Sequence, residues 1–301
     1  MTAPRLRGLV DADRAAGPDD AALHALHVAT AGAHPAMAAA ELAASLRDAG
    51  RDHGRRVVIA ERDGAVVGGA GWVEAPPWCF GAPLIAAAAD VAAALIDHVV
   101  ARARACGARH LRISAYPGES GKRAALVAAG LTPALDFLTL ARPLAPGDGA
   151  PWRGRLHRRR WAELDVDRFT ALSNAAFEGV ANAPPMARDA VAELLAGDGV
   201  VRDATAAYVD DAGAYQAFVV VLAEGEGDGR HAVVDSIGVA ATGRGQGLGR
   251  AVLDDALAAA AAAGFGEMRA LIASQNHASL ALHGARGFTE RARRSVFQLE
   301  L

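Results

Sequence analysis

Val233-Val234-Asp235-Ser236-Ile237-Gly238-Val239, then Arg244-Gly245-Gln246-Gly247-Leu248-Gly249, then an alanine-rich run from Arg250 to Ala263, is the stretch whose reading decides the fold. The first segment is apolar and β-branched, as a buried strand requires. The last has the composition of a helix. Between them lie glycines at alternate positions, so the order is strand, glycine-rich turn, helix. Backbone N–H groups at a helix start lack partners and favour an anion, and glycines let a phosphate approach the main chain. Arg244 at the loop entrance adds a charge-assisted contact to such an anion. A kinase-type phosphate loop needs Gly-Lys-Ser/Thr after the turn, whereas Gly249 is followed by Arg250 and Ala251. A dinucleotide fingerprint needs Gly-x-Gly-x-x-Gly with an acidic residue ending a second strand, and that spacing is also missing.

Working outward, the chain repeats itself at an offset of 157 residues. Leu95-Ile96-Asp97 falls on Val252-Leu253-Asp254, Gly107 on Gly264, His110 to Ile113 on Glu267 to Ala270, and Gly130-Leu131-Thr132 on Gly287-Phe288-Thr289. Upstream, the turn at Asp63-Gly64 matches Ala212-Gly213 at a shorter offset, and an insertion from Glu224 to Gly229 absorbs the difference. Each half then reads as early helices, a hairpin, and strand–helix–strand–helix with closing strands. The proline- and glycine-rich stretch 143–152 reads as a linker. The expected domains are 1–142 and 153–301, each α/β (α+β) with a mixed, mostly antiparallel sheet flanked by helices.

The bulk numbers agree with two globular domains. The chain has 301 residues, 52% of them apolar, enough to bury full cores. A net charge of −3 excludes a global basic field for nucleic acid. Cys79 and Cys106 are the only cysteines and offer neither a disulfide framework nor metal spacing, so no metal is expected. No signal-like N-terminus and no apolar run of membrane-spanning length are seen, so the expectation is a cytoplasmic protein without a membrane partner, monomeric or homodimeric.

The glycine loop resembles motif A of the GNAT N-acetyltransferases, whose Val-x-Pro-x-x-Arg-Gly-x-Gly-Ile-Gly maps onto Val239 to Gly249 with Ala241 in place of proline. A later family pattern, Asn-x-x-Ala-x-x-Leu-Tyr-x-x-x-Gly-Phe, maps onto Asn276 to Phe288, with Ser279 for the alanine and His283 for the tyrosine. The resemblance implies an acetyl-CoA-dependent N-acetyltransferase, in the second half, acting on the primary amine of a small molecule. It implies that Arg244, Gly245, Gln246, Gly247, Leu248, Gly249 and Arg250 hold the cofactor pyrophosphate. It also implies that Ile237, Val239 and Asn276 hold the pantetheine arm, and that the N–H near Val239 polarises the acyl carbonyl. His283 stands where relatives place the acid for the departing thiolate, and a histidine near its free pKa can donate a proton. Because the tyrosine is replaced, a non-catalytic acyl-CoA-binding sensor remains open as an alternative.

Strand alternation puts Asp235 on one face with Ile237 and Val239. In the family an acidic residue on this strand often acts as the amine base, so Asp235 is the base candidate. Glu178, Asp210 and His231 are weaker ones. Asn174 to Gly179 and Asn182 to Met186 look like the region that shapes the acceptor pocket. In the first half the loop falls on Ala87-Ala88-Ala89-Asp90-Val91-Ala92, without glycine and with an acidic side chain where a phosphate would lie. That half is expected to be degenerate and not to bind CoA.

Overall fold

A computed structural model describes residues 2–8, 18–30, 42, 56–180, 185–225 and 227–301. Asn182, Ala183 and Pro184 of the pocket region, and Glu226 of the insertion, lie outside the described residues. The chain divides into two compact units, 1–137 with 292–301, and 138–291. The first unit contains β1 (Arg5–Gly8), α1 (Pro18–Thr30), β2 (Val57–Arg62), β3 (Ala65–Ala75), β4 (Trp78–Ala86), α2 (Ala89–Ala105), β5 (His110–Ala115) and α3 (Ser120–Ala128), and the start of β6 (Thr132–Pro143). The same order returns as β7 (His157–Arg160), α4 (Val166–Phe177), α5 (Arg188–Ala196), β8 (Ala206–Val209), β9 (Tyr215–Glu224), β10 (His231–Val239), α6 (Leu248–Ala262), β11 (Glu267–Ala273), α7 (His277–Gly284) and β12 (Thr289–Glu300). The fold is therefore mixed α/β, as the repeat predicts.

Local chemistry explains the element boundaries. Asp63 and Gly64 both take positive φ, which gives the two-residue hairpin joining β2 to β3. Asp165 caps α4 by accepting from Arg168 N–H. The helices α2 and α6 are each followed by a left-handed glycine, Gly107 and Gly264. Antiparallel pairing dominates, but β4–β5 and β10–β11 are parallel.

The closing strands are exchanged between the halves. The first unit orders its strands β1-β2-β3-β4-β5-β12, and the second β6-β11-β10-β9-β8-β7. Residues Ser295 to Glu300 pair antiparallel with Ala115 to His110, and Phe297 joins the first core. Leu138 and Leu140 of β6 join the second core. Residues 153–301 are thus not a closed unit, a correction to the simple split. β6 and β12 are equivalent strands of the repeat, so each carries an apolar pattern that fits either sheet.

The stretch 143–152 is a strap rather than a free linker. Leu144 N–H donates to Gly266 O at 2.8 Å and Ala150 N–H to Asp254 O at 3.1 Å. Trp152 N–H donates to the Asp255 carboxylate at 2.8 Å. A segment that cannot join a ladder still has N–H groups to satisfy, and the flank of α6 satisfies them. Buried Asp255 also accepts from Arg158 Nε and Tyr208 OH, both at 2.6 Å, tying α6 to β7 and β8. No helix among the described residues is long and apolar enough to cross a membrane.

Candidate active site

The second unit opens between β10 and β11. Their parallel register runs Ala232↔Met268, Val233↔Arg269, Val234↔Ala270 and goes no further, although β10 continues to Val239 on β9. Leu271 on β11, just beyond the last pair, is an exposed large hydrophobic. Ala240 N–H donates to Gln216 O, on the β9 side. Strand alternation therefore turns the N–H of Val239, and that of Ile237 two residues back, toward the opposite edge, into the opening. The side chains of Ile237 and Val239 pack with the core that α6 covers.

At the end of β10 a short 3₁₀ turn, Ala241–Gly243, leads to Gly245 and Gly247, at φ +76° and +77°. Non-glycine residues pay a steric cost there. Gly247 is the N-cap of α6, and the first intrahelical bond is Ala251 N–H to Gly247 O. Among the described residues, the N–H groups of Gly245, Gln246, Gly247, Leu248, Gly249 and Arg250 have no protein acceptor. Six such groups at the positive end of a 15-residue helix form an anion cradle. Arg250 is exposed on the first turn. Arg244, expected to meet the anion, instead donates from Nε to Val239 O (3.2 Å) and from Nη2 to Ala176 O (3.1 Å). It staples the loop to the ends of β10 and α4. Gln246 likewise holds the loop, donating to Thr242 O.

A β-bulge between Val234 and Ser236 makes Asp235 the extra residue of β10. This overturns the expectation that Asp235 shares a face with Ile237 and Val239, because a bulge interrupts alternation and re-aims a side chain. Asp235 and Ser236 instead line a cavity of about 290 Å³ with Phe169, Ser173, Asn174 and Phe177 of α4, Pro185 and Met186, and Val191 and Leu194 of α5. The Asp235 side chain opens to this cavity, yet its surroundings are mainly apolar. Desolvation raises its pKa above the ordinary carboxylate value, and the Ser236 hydroxyl, donating to it, partly offsets the rise. Asn174 is oriented by the chain itself, because its amide donates to Met186 O and accepts from Met186 N–H, which leaves one N–H over.

The other candidates lie elsewhere. Asp210 closes the β8–β9 turn, accepting from Ala212 and Ala214 N–H and from Gln216, with its pKa lowered by those bonds. His231 starts β10 and bonds Gly229 O. Glu178 is the C-cap of α4. Asn276 is the N-cap of α7, its side-chain oxygen accepting from Ser279 N–H at 3.1 Å, with the amide nitrogen left over.

His283 is 1% exposed, with its ring edge against Phe288. Its Nδ1 lies 2.9 Å from Ser279 O. A carbonyl only accepts, so Nδ1 carries the proton and Nε2, buried without a partner, does not. Burial lowers the imidazole pKa, with the Ser279 carbonyl opposing. A neutral ring whose one proton faces a backbone carbonyl is a poor acid, so the structure speaks against the expected donor role.

The first unit is the internal control. Its β4–β5 register ends at Gly81↔Ile113. Two residues, Ala87 and Ala88, join β4 to α2, too few for a glycine cradle. Asp90 on the first turn of α2 is ion-paired to Arg62. Lys122, on α3, donates to Leu84 O at 2.9 Å beyond the last β4–β5 pair, with Glu119 beside it. Leu84, two residues before the end of β4, stands where Ile237 stands in β10. A protein ammonium thus occupies the backbone edge that is open in the second unit.

Residues 168–288 match the model of the Acetyltransferase (GNAT) family. The second unit is a GNAT acetyltransferase domain. No curated protein matches the chain. Among solved structures, a GCN5-related N-acetyltransferase from Sphaerobacter thermophilus is similar over 100% of this chain and 96% of its own, at TM-score 0.78 and 18% identity. A tandem GNAT protein from the clavulanic acid biosynthesis pathway is similar over 99% of this chain and 98% of its own, at TM-score 0.71 and 18% identity. N-myristoyltransferase of Saccharomyces cerevisiae is similar over 100% and 79%, at TM-score 0.66 and 11% identity. The whole chain thus has a tandem GNAT fold, and the match to the acetyltransferase family lies in the second unit.

Proposed function

We propose that the second unit transfers an acetyl group from acetyl-CoA to the primary amine of a small molecule, and that the first unit binds no CoA. One juxtaposition carries this reading. A single strand, β10, borders the open edge and the N–H cradle on one side and bears Asp235 in the cavity on the other. The residues fit acetyl-CoA: the N–H groups of Gly245 to Arg250 suit a pyrophosphate, and the β10 edge at Ile237 and Val239, with Asn276, suits the amides of a pantetheine arm. When bound, acetyl-CoA supplies an activated acyl thioester.

The chain's own residues do the rest. Asp235 receives a proton from the ammonium of the acceptor, leaving the amine free to attack the thioester carbonyl; the C–N bond would form as the C–S bond breaks, and CoA would leave as a thiolate that takes its proton from solvent. The raised pKa brings this carboxyl closer to the range useful for a general base. The Val239 N–H, directed into the opening, is placed to stabilise developing charge on the acyl oxygen. Ser236 orients the Asp235 carboxylate. Arg244 fixes the cradle. His283 packs the α7 interior and takes no part in proton transfer. Cys79 and Cys106 are free thiols, which suits the reducing cytoplasm as the location.

Calorimetry with acetyl-CoA and thiol release with an amine panel test the reading together. One site per chain with turnover is the expected result. One site without turnover on any amine would favour the sensor, and no binding would remove the reading.

A further inference from the structure

Resting on that reading, we infer that the acceptor is an apolar monoamine without a carboxylate, an alkylamine or arylalkylamine rather than an amino acid, an aminosugar or a polyamine. Among the described residues lining the cavity, the one charged side chain is Asp235, at its β10 wall. Among the described residues lining it there is no lysine, arginine or histidine. Six of the ten lining residues are apolar: Phe169, Phe177, Pro185, Met186, Val191 and Leu194. The polar remainder is small. Asn174 is held on both sides by the Met186 backbone, and Ser236 bonds Asp235. Among the described lining residues, what is left for further hydrogen bonds is the Ser173 hydroxyl, itself 7% exposed, one N–H of Asn174 and the acceptor side of Ser236.

This inventory selects by what it leaves unpaired. One ammonium meets Asp235, and the aromatic walls at Phe169 and Phe177 favour a cation near their faces. A carboxylate on the same ligand would enter an apolar chamber facing another carboxylate, with no cation to meet it. A second ammonium would have no second acid. A sugar would bring several hydroxyls to a wall with few free partners. The volume, about 290 Å³, lies at the small end of ligand pockets, which run from roughly 300 to 1,000 Å³, so the apolar body is compact.

Phenethylamine and phenylalanine differ by the carboxylate alone and make the sharpest pair. With the full chain and saturating acetyl-CoA, kcat/KM for phenethylamine should exceed that for phenylalanine, glucosamine and spermidine by about 100-fold, the factor expected when a buried charge or set of polar groups is left without partners. Equal or better turnover of phenylalanine, glucosamine or spermidine overturns the acceptor class while leaving acetyl transfer intact. Acetyl-CoA binding with no binding or turnover of phenethylamine also overturns the class. Failure of acetyl-CoA to bind overturns the underlying reading instead. Met186, at the cavity wall, is 38% exposed, so a charge there is tolerated by the fold. Met186→Arg should narrow the phenethylamine-to-phenylalanine ratio by about tenfold. An unchanged ratio would place the acceptor outside this cavity.

Discussion

Replacing Asp235 by asparagine tests the proposed chemistry at its narrowest point. The change keeps the side-chain shape and a group that can bond Ser236, but removes the proton acceptor. Among the described residues lining the cavity nothing replaces it: Ser173 and Ser236 are neutral hydroxyls and Asn174 is tied to the backbone. General-base catalysis contributes about 10²- to 10⁴-fold. With no second base among the described lining residues, the loss in kcat/KM should lie near the middle, about 10³-fold, or about 4 kcal/mol of barrier. The pH dependence adds an independent readout. Desolvation raises the Asp235 pKa, so the rising limb of kcat/KM should lie above the ordinary carboxylate range and vanish in the variant. Stability should move the opposite way. A carboxyl whose folded pKa is raised holds its proton better folded than unfolded, so stability is lost as pH rises through the interval above the unfolded value. Removing the charge removes that penalty, and the variant should melt at or above the parent's Tm at pH 7. Steady-state kinetics from pH 5 to 9 and a melting curve give all three numbers. A kcat/KM within threefold of the parent, with the rising limb intact, would refute Asp235 as the base.

Gly247→Ala places a β-carbon at φ +77°, with no heavy atom within 4 Å of it. The cost is therefore backbone strain of about 1–2 kcal/mol, and the KM for acetyl-CoA should rise about tenfold with little change in kcat at saturation; an unchanged KM would move the pyrophosphate elsewhere. His283→Phe should change kcat less than threefold, because Nε2 carries no proton, while Tm falls through loss of the Nδ1–H bond to Ser279 O (about 1 kcal/mol) and repacking; a hundredfold fall in kcat with an altered alkaline limb would restore the acid role. Asp255→Ala strips the partners of Arg158, Tyr208 and Trp152 N–H. Breaking such a buried network costs about 3–5 kcal/mol, read as a lower urea midpoint. Lys122→Met should leave CoA stoichiometry at one per chain by calorimetry, and two sites in the parent would contradict the sealed first unit.

Much of this was legible before any coordinates. The Gly245-x-Gly247 spacing is a backbone requirement, and Gly107, Gly130, Gly264 and Gly287 mark equivalent turns by the same positive φ, so the repeat and the cradle are written in glycines. Three features were hidden for physical reasons. The bulge at Asp235 leaves no composition signal, because an extra residue in an apolar strand looks like any other; assuming strict alternation put the carboxylate on the wrong face. The strand exchange is invisible because β6 and β12 present interchangeable patterns. Arg244 and His283 suggest ligand-facing roles in the sequence, but short-range partners engage them: two carbonyls for Arg244 and the Ser279 carbonyl for His283, whereas Asn276 spends only its side-chain oxygen on the helix cap. A side chain's nearest unsatisfied backbone group competes with any distant ligand, and motif reading does not register that competition.

The two units treat the opening between their parallel strands differently. Splayed strands leave backbone groups without ladder partners, and such groups need a partner wherever water is excluded. In the second unit, the groups of β10 beyond Val234 border an opening that leads to the N–H cradle. In the first, Lys122 reaches the Leu84 carbonyl and Glu119 balances its charge. Burial lowers the lysine pKa, with Glu119 opposing, so the arrangement has an electrostatic cost that an apolar plug would not carry. An apolar side chain, however, has nothing to donate to a bare carbonyl. The lysine persists at that edge because the hydrogen bond is what the splay requires. The same logic accounts for Asp90 on α2: without a phosphate, the positive end of that helix is met by a carboxylate held in turn by Arg62. In the first unit, both places that correspond to the open edge and the cradle of the second are thus met by charges from the chain itself, an arrangement that favours the proposed assignment of CoA binding to the second unit.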